Sequence, residues 1–180
     1  MNKKIKIAFA SMLAVPLLAC AQVRTEQTFE KGWKFTREDS KDFSNSTYDD
    51  AKWQSVTVPH DWAIYGPFSI NNDKQNVAIS QDGQKEAMEH AGRTGGLPFV
   101  GVGWYRLNFD APSFSKGKKA TLVFDGAMRH AHVYINGQEA GYWPYGYNSF
   151  YVDATPYLKP GEKNTLAVRL ENENESSRWY

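Results

Sequence analysis

His132-Val133-Tyr134-Ile135-Asn136-Gly137 is the stretch that decides the fold class. Strand-favouring residues run directly into Asn-Gly, the dipeptide best suited to a two-residue hairpin, because both turn positions take positive φ. Working outward, similar short segments recur along the chain. Trp33-Lys34-Phe35 alternates apolar and polar, and Trp53-Gln54-Ser55-Val56-Thr57-Val58 nearly does. Trp104-Tyr105-Arg106-Leu107-Asn108-Phe109 places Trp104 and Arg106 on one strand face. Ala120-Thr121-Leu122-Val123-Phe124 reads as an almost continuous apolar run that stops at Asp125-Gly126. Phe150-Tyr151-Val152 and Thr165-Leu166-Ala167-Val168-Arg169-Leu170 complete the set, with Lys159-Pro160-Gly161 as the break between them. Beyond the first 21 residues no segment sustains apolar spacing at helical period. Short strands separated by Gly, Pro and Asn turns predict an all-β chain folded as an antiparallel jelly-roll β-sandwich.

One stretch does not fit that rhythm. Gly66 to Gly103 is polar and glycine-rich, with Asn71-Asn72-Asp73, Asp82-Gly83 and Thr94-Gly95-Gly96-Leu97-Pro98 inside it. A connection this long without structure of its own is a mobile insertion or a site-forming loop. The glycines, and Leu97-Pro98 leading into a strand, favour the site-forming loop.

The N-terminus has the form of an export leader. Lys3, Lys4 and Lys6 precede an uncharged apolar run from Ile7 to Leu18, too short to span a bilayer and broken at Pro16. Two processing readings stand. Leu17-Leu18-Ala19-Cys20 matches a bacterial lipoprotein box, in which Cys20 is lipidated and the product is a membrane-anchored or periplasmic protein. Ala19-Cys20-Ala21 also fits a small-x-small cleavage site. Residues 1–21 are therefore assigned to a leader and 22–180 to one domain. Cys20 is the only cysteine, so the domain has no internal disulfide and no cysteine-based metal site. About 160 residues suffice for one hydrophobic core. Loss of the three leader lysines takes the formal charge from +1 to −2, which gives no reason to invoke nucleic acid as a partner. Aromatic residues make up 14% of the chain, with six Trp and ten Tyr, enough for a packed core and also for exposed faces on which sugar rings stack.

Taken in order, Val58-Pro59-His60-Asp61-Trp62, Gly95-Gly96-Leu97-Pro98, Gly103-Trp104-Tyr105-Arg106 and Phe124-Asp125-Gly126 resemble the N-terminal part of glycoside hydrolase family 2, the β-galactosidase and β-glucuronidase family. Val133-Tyr134-Ile135-Asn136-Gly137, Gly141-Tyr142 and Asn164-Thr165-Leu166-Ala167-Val168 continue the likeness, and Ser176-Ser177-Arg178-Trp179-Tyr180 is similar to the start of a longer family motif. The resemblance implies a jelly-roll sugar-binding domain, followed in the family by an immunoglobulin-like sandwich and a (β/α)₈ barrel that carries two catalytic glutamates. A barrel needs about 250 residues by itself. Catalysis, and any Mg²⁺ or Na⁺ that the family uses, would therefore reside outside these 180 residues, and no catalytic or metal-binding residue is expected here.

The residues agree with that expectation. A retaining glycosidase needs two carboxyl groups about 5 Å apart. Asp61, Asp73, Asp82, Glu86 and Glu89 lie in loops without a spacing that fixes a pair, and Glu171, Glu173 and Glu175 form a solvated run. Three segments are candidates for a wall of a sugar pocket. Asp61 and Trp62 offer a carboxylate beside an aromatic platform, or else a loop cap and a core filler. Arg93, Gly95 and Gly96 combine a donor-rich side chain with backbone that a ligand can approach closely. Arg178 and Trp179 follow Ser177, where some family β-galactosidases carry an Asp, so direct carboxylate recognition there is in doubt. Tyr142-Trp143-Pro144-Tyr145-Gly146-Tyr147 offers a stacking surface, but aromatics beside a Pro-Gly turn read more readily as a packed corner or a contact with further domains. His130 and His132 share a strand face but lack a third ligand. The expected partner is a β-galactoside or related glycan in an exo-acting glycosidase. A free-standing carbohydrate-binding module and a structural lipoprotein without sugar affinity are the alternatives.

Overall fold

β5 (Gly101–Asp110) and β10 (Lys163–Asn172) pair antiparallel along their full ten-residue lengths, from Gly101 opposite Asn172 to Asp110 opposite Lys163. In this computed structural model residues 24–69, 71, 72, 74–77, 83, 85, 86, 88–91, 99–114 and 117–172 are described. Around the central pair stand β1 (Trp33–Thr36), β2 (Gln54–Val56), β7 (Ala131–Ile135) and β8 (Gln138–Trp143), giving a six-stranded sheet in the order β2-β1-β5-β10-β7-β8. β6 (Thr121–Phe124) and β9 (Phe150–Asp153) form a second layer, and β3 (Lys74–Val77) pairs with β4 (Met88–Ala91) in a separate ribbon. Every pairing among these strands is antiparallel. The expected all-β sandwich is the architecture found.

Period-two alternation builds the core. Trp33 and Phe35 from β1, Tyr105 and Leu107 from β5, Leu166 and Val168 from β10, and Val133 and Ile135 from β7 all face the second layer. Phe150 and Val152 from β9 meet them, with the Phe124 and Phe150 rings stacked 4.5 Å apart. The Asn-Gly hairpin forms as expected: Asn136 has φ 52° and Gly137 φ 85° between β7 and β8. Asn136 does a second job. Its side-chain amide donates to Tyr157 O at 2.9 Å and to Asn164 Oδ1 at 2.8 Å, and its Oδ1 accepts from the Thr165 N–H at 3.0 Å. The hairpin tip is thereby tied to the start of β10.

Both faces of central β5 are buried because the outer face of the sheet is also covered. Residues 39–53, with a 3₁₀ turn at Lys41–Ser44, lay Phe43 and Trp53 against Trp104 and Ala167. Arg106 sits beneath this cover at 1% exposure. Its Nε donates to Asp50 Oδ2 at 2.9 Å, Nη1 donates to the carbonyls of Phe43 and Asn45, and Nη2 reaches the carbonyl of Tyr48. One planar guanidinium thus serves a carboxylate and three carbonyls at once.

Two sequence expectations need correction. Residues 66–103 are not without structure of their own, since β3 and β4 pair within them and β5 begins at Gly101. The strand expected over Trp53–Val58 is limited to Gln54–Val56, with Trp53 packed under the outer cover.

Arg106→Ala is expected to destabilise the domain by about 3–5 kcal/mol, because it removes the buried cationic partner of Asp50 and the donors it shares among three carbonyls. Arg106→Lys should recover only part of that, since a point ammonium lacks the guanidinium fork. Urea unfolding of the three proteins measures the difference; a loss below about 1 kcal/mol for the alanine variant would contradict this role.

Candidate functional site

The turn that follows β2 carries the first sequence candidates. Asp61 is exposed, and its Oδ1 accepts the Ala63 N–H at 2.9 Å, so one carboxylate oxygen shapes the turn while the group stays at the surface. Trp62 is 5% exposed and belongs to the core. Its ring lies edge-on to Phe35 at 5.6 Å and to Phe99 at 6.3 Å. It also rests directly on the backbone of Gly103, where a Cβ would stand 1.7 Å from the ring. No face of Trp62 is left for a sugar. Of the two roles read for it, the structure places it in the packing role.

His60 anchors the other side of the turn. Its Nδ1 shares a 2.8 Å hydrogen bond with the Tyr105 hydroxyl, and its ring packs against Phe35 at 4.9 Å. Burial lowers the His60 pKa; nearby Asp61 raises it in part and Arg37 lowers it further. Burial also pushes the Tyr105 phenol well above its ordinary range. Arg37 Nη2 donates to the Trp62 carbonyl at 2.9 Å, and the guanidinium lies 4.9 Å from the Phe99 ring. These contacts fix the 59–65 turn at both ends.

Beside that turn a groove of about 1000 Å³ runs along the β1–β2 edge of the sheet. Lys31, Lys34, Gln54, Asp61, Ile64 and Tyr65 supply its distinctive chemistry. Tyr65, one of the most exposed large side chains at 72%, lies parallel to the His60 ring at 5.9 Å and 13°. Sequence reasoning missed Lys31, Lys34, Gln54, Ile64 and Tyr65. No local pattern marks them, because their common groove exists only once β2 is known to be a sheet edge.

A second surface collects aromatics around β8. Trp143 stacks on Phe150 at 5.6 Å and fills the corner, whereas Tyr142, Tyr145 and Tyr147 are exposed. Trp143 thus takes the packed-corner role, and the three tyrosines stand at the surface. His130 and His132 do not share a strand face: β7 starts at Ala131 and His130 takes a left-handed φ of 48°. Both imidazoles pack on Tyr142 instead, and His132 Nδ1 pairs with Glu139 at 2.8 Å. Among the described residues no group of three His, Cys, Asp or Glu side chains is placed to hold a metal ion. Glu171 accepts from Arg169 Nη1 at 2.8 Å, and the other arm of Arg169 grips Asp39, which also accepts from Trp104 Nε1 at 2.7 Å. That grip holds the Asp39 carboxyl below the usual carboxylate range. Asp73, Asp82, Arg93, Gly95, Gly96, Glu173, Glu175, Arg178, Trp179 and Cys20 lie outside the described residues.

Residues 27–179 match the family described as glycosyl hydrolases family 2, sugar binding domain. The chain belongs to this family. It is 39% identical over 158 residues to the β-galactosidase BoGH2A of Bacteroides ovatus, covering 87% of this chain and 17% of that protein. A β-glucuronidase of Formosa agariphila is 32% identical over 150 residues, covering 83% of this chain and 14% of its own. Among solved structures, a glycosyl hydrolase family 2 member from Bacteroides cellulosilyticus superposes with a TM-score of 0.67 at 31% identity, over 86% of this chain and 18% of that one. A β-glycosidase from Bacteroides vulgatus gives 0.61 at 37% identity, over 84% and 18%. The family 2 chain described here thus spans less than a fifth of the length of these relatives.

Because the folded His60 pKa lies below the unfolded value of about 6.5, the unfolded state binds more protons between those two values. Stability should therefore fall as pH drops below about 6.5, and His60→Gln should reduce that fall in urea midpoints. An NMR titration should place the His60 midpoint below about 6.5, and Asp61→Asn should move it lower still. A midpoint at or above about 6.5 would contradict the buried setting of this ring.

Proposed function

We propose that this family 2 chain is the sugar-handling N-terminal part of an exported, exo-acting, retaining glycosidase that acts on a β-galactoside. The observation that carries the reading is the identity of 39% over 158 residues to a protein named a β-galactosidase. The reaction needs a nucleophilic carboxylate and an acid/base carboxyl about 5 Å apart. The reading assigns both to a barrel of about 250 residues following this domain. The contribution of the present chain is then one wall of the sugar pocket, for which the sequence offers Arg93, Gly95, Gly96, Arg178 and Trp179.

Two features support contact with further domains of the same polypeptide. The backbone N–H of Glu171, next to the end of β10, donates to the carbonyl of Arg129 at 2.9 Å. The chain therefore leaves its last strand near the exposed tyrosines that follow β8, and exposed aromatic surface of this kind marks an interface. A β-glucuronide is the second substrate reading, favoured by a protein of Formosa agariphila named “Putative beta-glucuronidase”, which is also 39% identical over 158 residues. Export rests on the cationic, apolar N-terminus, with Cys20 either lipidated to anchor the protein or lying at an ordinary cleavage site.

A polypeptide carrying this chain together with a following barrel should hydrolyse an aryl β-galactoside at least about tenfold faster than an aryl β-glucuronide, a ratio worth about 1.4 kcal/mol. The 180-residue chain alone should hydrolyse neither. Turnover by the chain alone would overturn the assignment of catalysis, and preference for the glucuronide would replace the substrate.

A further inference from the structure

We propose that the groove along the β1–β2 edge is a glycan subsite, holding an oligosaccharide with one ring stacked on Tyr65. A pyranose has an apolar face of C–H groups and a rim of hydroxyls. The groove matches both parts. Tyr65 presents a broad ring face at 72% exposure with Ile64 beside it at 57%, an apolar platform that core packing does not use. Around it stand groups that donate to or accept from hydroxyls: the Asp61 carboxylate, the Gln54 amide and the Lys31 and Lys34 ammonium groups.

The platform and its polar neighbours are held in place before any ligand arrives. Tyr65 lies parallel to His60, which is bonded to Tyr105. Asp61 is fixed by the Ala63 N–H, Lys34 Nζ donates to Ser55 Oγ at 2.9 Å, and Trp62 locks the turn onto Gly103. A prearranged surface loses little side-chain freedom on binding, which favours a weak, exchangeable ligand such as a sugar chain. At about 1000 Å³ the groove is at the upper end of the roughly 300–1000 Å³ of small-molecule sites, room for more than one ring.

Acceptor and donor groups both line the groove. Asp61 is the sole carboxylate among the described residues lining it, and it lies four residues from Tyr65 on the same turn. It accepts from sugar hydroxyls, and Lys31 and Lys34 donate to them. A peptide strand added to the edge is the competing occupant. β2 offers it only three residues, ending just before the Val58-Pro59 pair, and short edges of this kind resist strand addition.

The ligand class rests on the sugar-handling reading above, whereas the location rests on the groove. The test is a ¹H–¹⁵N NMR titration of the chain with β-1,4-galactotetraose, with a strand-forming peptide as the comparison. Saturable shifts confined to residues 31–34, 54–57 and 60–65 are expected. Tyr65→Ala should weaken binding about tenfold and Asp61→Asn measurably, while Tyr65→Phe stays within about threefold, with core resonances unchanged in each variant. No saturable shift, shifts elsewhere on the surface, or equal binding by Tyr65→Ala would overturn the proposal. So would a stronger response to the peptide. Failure of aryl galactoside turnover in the barrel-bearing polypeptide would remove the catalytic reading and leave the groove standing.

Discussion

β5 and β10 pair over ten residues each, and nearly every other feature of the domain is hung on that ladder. Each strand sends alternate side chains to opposite faces. On one side Tyr105, Leu107, Leu166 and Val168 face the β6–β9 layer and make the main core. On the other, Trp104 and Ala167 face Phe43 and Trp53 under the 39–53 segment. A central strand that is buried on both faces must account for every polar group it carries. Arg106 is the costly one, and its four partners explain why the covering segment takes an irregular path with a 3₁₀ turn.

The candidate site depends on the same ladder. Gly103 leaves room on β5 for the Trp62 ring, and Tyr105, two residues along, reaches the His60 ring. The 59–65 turn is therefore bolted to the strongest element of the fold, although it projects from the sheet edge. Rigid attachment to a strand is what lets a surface turn present Asp61 and Tyr65 in a fixed arrangement. The relation also explains why Trp62, the aromatic most suggestive of sugar stacking in the sequence, is spent on packing while Tyr65 holds the exposed position.

Much of the fold was legible from sequence because it rests on local chemistry. Asn136-Gly137 needs positive φ at both positions, and the hairpin follows. Alternation in Trp33-Lys34-Phe35 and in Phe150-Tyr151-Val152 translates directly into buried and exposed faces. What could not be read depends on distant partners. The 3₁₀ turn at Lys41–Ser44 is held by an arginine more than sixty residues away in sequence, and Asp39 meets Arg169 across 130 residues. The groove is illegible for the same reason: Lys34 and Ser55 become neighbours only through the β1–β2 register. The pairing of β3 with β4 was hidden because their segments are polar and lack alternation of apolar residues.

Native-state hydrogen exchange tests the dependence on the central ladder most directly. Amides of residues 103–108 and 165–169 should exchange only through global unfolding, with a free energy equal to that from urea denaturation. Those of β2 and of the β6–β9 pair should open earlier at lower free energy. Exchange from the β6–β9 layer that is slower than from β5 and β10 would contradict the account.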